Sequence, residues 1–333
     1  MTNNNQMSQI YSKFGQAGFN LSYIRRLLPD WWDEKLAETP SGRQYAFLHL
    51  ARMFSILPDS LKDGSEGVCF NFGGNHKYKH RQDVDENDLD IATAIAYTAA
   101  SIVASNFKTP YDTSALLDPL AMRAQILTKQ SWVSLDSLVS YCHSIGIPVI
   151  YLKSFPQAAK KMAGLALMSH GRPVIILTQP QKYGFVLFDL AHELGHIARG
   201  HLNAENGQCH VDAKIENAST DNIEKEANEF AFQVISGQKY LRIAPSAGGE
   251  LNAARLAHAA QMFGSSNHID PTHIALNYGF AQNRWGVAVG AVKMLCAGKK
   301  PDQDIVRAMM KSGMDLDNIN EDDLKVLENL IGE

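Results

Sequence analysis

The segment Phe185-Val186-Leu187-Phe188-Asp189-Leu190-Ala191-His192-Glu193-Leu194-Gly195-His196 constrains this chain more than any other. Its apolar residues predict a helix over Phe185 to Ala198, and that helix carries two histidines four residues apart. Positions i and i+4 share one helix face, so both imidazoles can reach a single ion. Zinc accepts neutral imidazole nitrogen, and its catalytic sites use three protein ligands and leave the fourth position to water. Glu193 follows the first histidine directly, where a carboxylate can take a proton from that water. The ion lowers the pKa of such a water from about 15.7 to roughly 7. The pattern is short and recurs by chance, so its surroundings have to support it.

They do. Leu135 to His143 is periodic as a helix, and Gly146-Ile147-Pro148 leads into a strand over Val149 to Leu152. Gly164 to Met168 and Pro173 to Thr178 are β-rich runs joined by Ser169-His170-Gly171-Arg172, which reads as a hairpin directly before the histidine helix. The strand over Pro173 to Thr178 is expected at an exposed edge, where an extended peptide can add by strand pairing. A polar connection, Asn203 to Asp221, separates the histidine helix from another over Ile223 to Ile235.

That later helix offers the preferred candidate for the third ligand. His201 is the tempting alternative, but it stands nine residues after His192, whereas the H-E-x-x-H-x-x-G-x-x-H arrangement needs ten. Glu224 is preferred, with Glu226, His201 and His210 as alternatives. Glu224, Ala227, Asn228 and Ala231 share a face, and the alanines let this helix approach the first closely. Asn228 is placed to hold the far nitrogen of a ligand imidazole. Glu226 and Glu229 are expected as solvated charges. His258, His268, His273 and Tyr278 are candidates to stabilise an oxyanion, and Cys209 is a candidate inhibitory or alternative ligand.

Phe188-x-x-Ala191-His192-Glu193-Leu194-Gly195-His196, followed by Glu224-x-x-Ala227-Asn228-x-Phe230-Ala231, closely resembles the ImmA/IrrE metallopeptidases, a gluzincin-like group. The resemblance covers approximately Leu135 to Ile235. It implies one Zn2+ per chain and a site-specific endopeptidase. It also implies a protein substrate, a helix-turn-helix repressor encoded nearby whose cleavage switches on a stress, phage-defence or mobile-element response. The expected fold is α+β and mostly helical: a zincin-like core with a small β-sheet packed on the H-E-x-x-H helix, and helical regions at both ends. The expected division is a helical N-terminal module over 1–63, a linker over 64–88, the core over 89–250 and a helical C-terminal region over 251–333.

Such proteins often carry N-terminal extensions resembling helix-turn-helix domains, and Leu27 to Trp32 with Leu48 to Phe54 looks like a degenerate version. Residues 1–63 hold seven Lys/Arg against six Asp/Glu. That is a poor footprint for DNA, so substrate recognition or dimerisation is the preferred role of this module and DNA binding the lesser one. The net charge of −4 gives no sign of an anionic-membrane binder. Met1 to Ile10 lacks the basic and apolar regions of a secretory signal, and Ile91 to Phe107 is too polar for a membrane span. Four scattered cysteines form no disulfide framework, which fits a reducing cytoplasm. The competing class is a non-enzymatic, zinc-containing transcriptional regulator or partner-binding protein.

Overall fold

The structure, a computed structural model, describes residues 4–61, 68–71, 86–112, 114, 118–157, 159, 162–202, 210–212, 222–244 and 251–333. Three helices come first: α1 (Asn4–Gln16), α2 (Leu21–Leu27) and α3 (Pro40–Met53). Asn20 caps α2 by accepting from the Tyr23 N–H at 2.8 Å, and Leu28, held extended ahead of Pro29, ends it. The sequence reading has no counterpart for α1. Its Asn- and Gln-rich surroundings hide Met7, Ile10 and Phe14, which fall at helical spacing and are buried.

Helices α4 (Glu86–Ser105) and α5 (Pro119–Leu127) follow. The second begins at Pro119, where Asp118 accepts from the Leu120 N–H at 2.8 Å and Pro119 is preset for a first turn. Next come α6 (Leu135–Ser144), β1 (Val149–Tyr151), β2 (Gly164–Ser169) and β3 (Arg172–Leu177). The β2–β3 hairpin turns at His170 and Gly171, with φ of 48° and 74°. Two positive φ values in a two-residue loop match the twist of the strands they join. The rest of the chain is α7 (Val186–Ala198), β4 (His210–Asp212), α8 (Asn222–Ser236), α9 (Ala253–Asn267), α10 (Pro271–Ala281), α11 (Trp285–Leu295), α12 (Asp302–Gly313) and α13 (Glu321–Ile331). The architecture is α+β and mostly helical. Among the described residues no helix is long and apolar enough to cross a membrane, and Cys69, Cys142 and Cys296 are free thiols.

The sheet runs β1-β3-β2-β4. β1 pairs parallel with β3, in register Ile150 to Ile176, while β2 pairs antiparallel with both β3 and β4. The expected exposed edge at Pro173 to Thr178 is therefore corrected: β3 is an interior strand, flanked on both sides. Its unbroken run Val174 to Leu177 suits that place, since a strand buried on both faces needs no polar alternation. The outer side of β2 is occupied in turn at Gly164 to Ala166, which pair with Asp212 to His210. β4 itself lies in what reads from sequence as a polar connection.

Each face of the sheet has its own core. Ile150, Leu165, Leu167, Val174 and Ile176 pack with α1 to α4 and α13. Val149, Tyr151, Ile175 and Leu177 pack with α6 and α7 and, beyond them, with residues of α8 to α11. Alternation with a period of two sends successive strand residues to opposite cores. Helix α8 lies against α7, and the approach is close. A Cβ added at Gly195 would stand 2.9 Å from the Ala227 carbonyl oxygen. Arg123 of α5, mostly buried, ties the ends of two helices together by donating to the Ile235 oxygen at 2.5 Å and the His268 oxygen at 2.7 Å. Its guanidinium thus satisfies carbonyls that a helix C-terminus leaves open.

Candidate metal centre

The α7–α8 contact brings three side chains together. His192 Nε2 and His196 Nε2 are 3.0 Å apart, Glu224 Oε2 lies 3.3 Å from the first, and Glu224 Oε1 lies 3.7 Å from the second. Both histidines are fully buried, and the Glu224 side chain is 15% exposed. Three ligand atoms at roughly 2.0–2.2 Å from one tetrahedral ion stand roughly 3.3–3.6 Å from each other. The observed spacings bracket that value, and the donor set of two imidazoles and a carboxylate suits such an ion. The residues present fit a metal.

The far side of each imidazole is also held. Asn228 Oδ1 lies 3.0 Å from His192 Nδ1. A carbonyl oxygen only accepts, so the proton of neutral His192 is assigned to Nδ1 and the Nε2 lone pair faces Glu224. Asn228 sits one helical turn beyond Glu224, so a single face of α8 presents both groups. His196 Nδ1 lies 3.0 Å from His201 Nδ1, and His201 Nε2 lies 3.0 Å from Glu226 Oε2.

His201, kept in the sequence reading as an alternative ligand, is not among the three converging groups; it stands behind His196. One sequence expectation changes here. Glu226, 57% exposed, is hydrogen-bonded to His201 rather than simply solvated. The signal that could have located His201 is Gly200. Its φ of 69° closes α7 with the His201 N–H donating to the His196 oxygen at 2.9 Å and the Gly200 N–H to the Ile197 oxygen at 3.1 Å. This double closure folds the residue after the glycine back over the last turn.

Glu193 is 1% exposed and packs against the start of β2. A Cβ at Gly164 would stand 2.5 Å from Glu193 Oε1, so a larger residue here would force this carboxylate to shift. The oxyanion candidates scatter. His258 is exposed on α9, and His268 caps that helix with Nδ1 2.9 Å from the Ser131 oxygen. Tyr278 is buried in α10. His273 is buried too, its ring stacked 5.8 Å from that of Phe188, which in turn lies 6.4 Å from that of His192. Burial pushes His273 down to about 4, so it is neutral at ordinary pH. Cys209 lies outside the described residues.

The loop entering α7 is anchored from α12. Asp302 Oδ2 accepts from the Gly184 N–H at 2.7 Å. Burial pushes Asp302 up to about 7, with the Gly184 hydrogen bond opposing and nearby Asp270 adding to the rise.

The Peptidase_M78 family model, described as the IrrE N-terminal-like domain, matches residues 142–266, a stretch that contains His192, Glu193, His196 and Glu224. No curated protein and no solved structure matches the chain.

Proposed function

We propose, on the match of residues 142–266 to the IrrE N-terminal-like domain model, that this chain is a metallopeptidase of the ImmA/IrrE type and, more narrowly, a zinc-dependent endopeptidase with a zincin-like core. Its substrate, in this reading, is a regulatory protein of the same cell, a helix-turn-helix repressor encoded nearby. The observation that carries the activity is the convergence of His192, His196 and Glu224 beside a buried Glu193. His192, His196 and Glu224 would hold the ion. When bound, zinc would supply Lewis-acid polarisation of the scissile carbonyl and acidify water.

The remaining work falls to the chain's own groups. Glu193 takes the proton of the attacking water and later returns it to the leaving amine. Gly164 gives that carboxylate its room beside β2. Asn228 fixes His192 through Nδ1. The narrower substrate class rests on the family resemblance alone.

A closed structural zinc site would bring four protein ligands together. Beside the three groups that converge among the described residues stands the buried carboxylate of Glu193, a group that a structural site does not need and that favours catalysis over the non-enzymatic regulator. The test is incubation of the zinc-loaded protein with repressor-type proteins encoded beside it, with fragments read by mass spectrometry. The proposal expects one defined cut that is absent with the Glu193→Gln variant. A cut of equal rate by that variant would refute the mechanism, and intact repressors throughout would refute the substrate class.

A further inference from the structure

The two histidines of the triad are backed in different ways, and the difference carries an inference of its own. His192 leans on the side-chain carbonyl of Asn228, a neutral and buried group. His196 leans on His201, which leans on the carboxylate of Glu226 at the surface. We propose that His201 and Glu226 form a positioning relay for His196, a reading that rests on the metal-site assignment above.

Proton bookkeeping gives the relay a direction. The Glu226 carboxylate can only accept, so His201 donates from Nε2. Neutral His201 then has a bare Nδ1, and it accepts from His196 Nδ1–H. His196 is left with its lone pair on Nε2, the nitrogen that faces His192 and Glu224. Each link fixes the tautomer of the next. A carboxylate at the end of such a chain also makes the ligand nitrogen more electron-rich, and loss of partners of this kind costs about 10–100-fold in metal affinity.

The local sequence builds the relay from both sides. Gly200 in the left-handed region turns the chain just after α7, and the paired closing hydrogen bonds bring His201 over His196. Among the described residues no atom beyond its chain neighbours lies within 4 Å of a Cβ placed at Gly200, and its φ of 69° is the feature that calls for glycine. On α8, Glu226 comes two residues after Glu224. Their side chains point in different directions around the helix, one to the triad and one to the back of His201. One turn of α8 therefore supplies both a group for the ion and the end of the relay.

The experiment measures Zn2+ affinity by competition with a chromophoric chelator, and the absorption spectrum of the Co2+-loaded protein, for the full chain and four variants. His201→Ala should weaken Zn2+ binding about 10–100-fold and alter the cobalt bands, while circular dichroism stays that of the wild type. His201→Gln should recover part of the loss, since its side-chain oxygen can accept from His196 Nδ1–H. Glu226→Gln should show a smaller loss in the same direction. Glu224→Ala tests the assignment beneath: wild-type affinity in that variant, or a wild type that binds no metal, would overturn the metal site itself. Affinity within twofold of the wild type for His201→Ala, with Glu224→Ala deficient, would overturn the relay alone. Loss on His201→Ala as complete as on Glu224→Ala, with no recovery in His201→Gln, would also overturn it and make His201 a ligand.

Discussion

The two faces of the sheet are equally buried and do different things. On one, Ile150, Leu165, Leu167, Val174 and Ile176 meet the N-terminal helices and α13 in a core made of apolar side chains. On the other, Val149, Tyr151, Ile175 and Leu177 support α7, whose buried residues include Asp189, His192, Glu193 and His196. Burying polar groups is costly unless they are held by partners. The α7 face meets that condition with Asn228 behind one imidazole and His201 behind the other. One face therefore supplies stability through area and shape, while the other uses part of that stability to hold a polar constellation in place.

Substitutions on the two faces should separate these roles. The largest effect is expected from Glu193→Gln, which should lower cleavage of a defined substrate by about 10²–10⁴-fold while elemental analysis finds the metal content unchanged. Ile176→Ala, on the opposite face, should cost about 2–5 kcal/mol in denaturant unfolding. The folded fraction of that variant should still bind metal with wild-type affinity, and a weakened site would show that the two faces are not separable. Gly164→Ala lies between them, on the strand that both cores share. Its Cβ would displace Glu193, so cleavage should fall on the order of 10²-fold in kcat, with metal affinity kept.

The smallest effect is a pH dependence. Folding raises Asp302 from its ordinary 3.8 to about 7, so the native chain keeps a proton that the unfolded chain releases. Stability from this group is present below about 4 and is lost as pH rises through about 7. Asp302→Asn keeps an oxygen to accept from Gly184 and has nothing to ionise. Between pH 5 and pH 8 the melting temperature of the wild type should fall relative to that variant. Parallel curves would remove Asp302 from the account.

The same contrast explains what could be read from the sequence. Helices α7 and α8 and the β2–β3 hairpin are legible because their patterns are local: apolar spacing, a turn at His170-Gly171, and small residues facing each other at Gly195 and Ala227. Glu224 and Asn228 follow from one helix face. The interior position of β3 is not legible, because it depends on a parallel pairing with β1 that no local pattern encodes. Helix α1 escapes because a few buried side chains sit in a polar stretch. His201 and Glu226 are visible as residue types, but their roles depend on a left-handed turn at Gly200 that reverses the chain over the end of α7. Four scattered oxyanion candidates mark where helix order after α8 decides the geometry and spacing does not.

The measurement that tests the central claim most directly is the metal content per chain of the purified, zinc-reconstituted protein and of its Glu224→Ala variant. The account predicts about one ion per wild-type chain and a clear loss in the variant, with the fold of both intact by circular dichroism. A wild type that takes up no metal, or a Glu224→Ala variant that keeps it at full affinity, would contradict the site built from His192, His196 and Glu224.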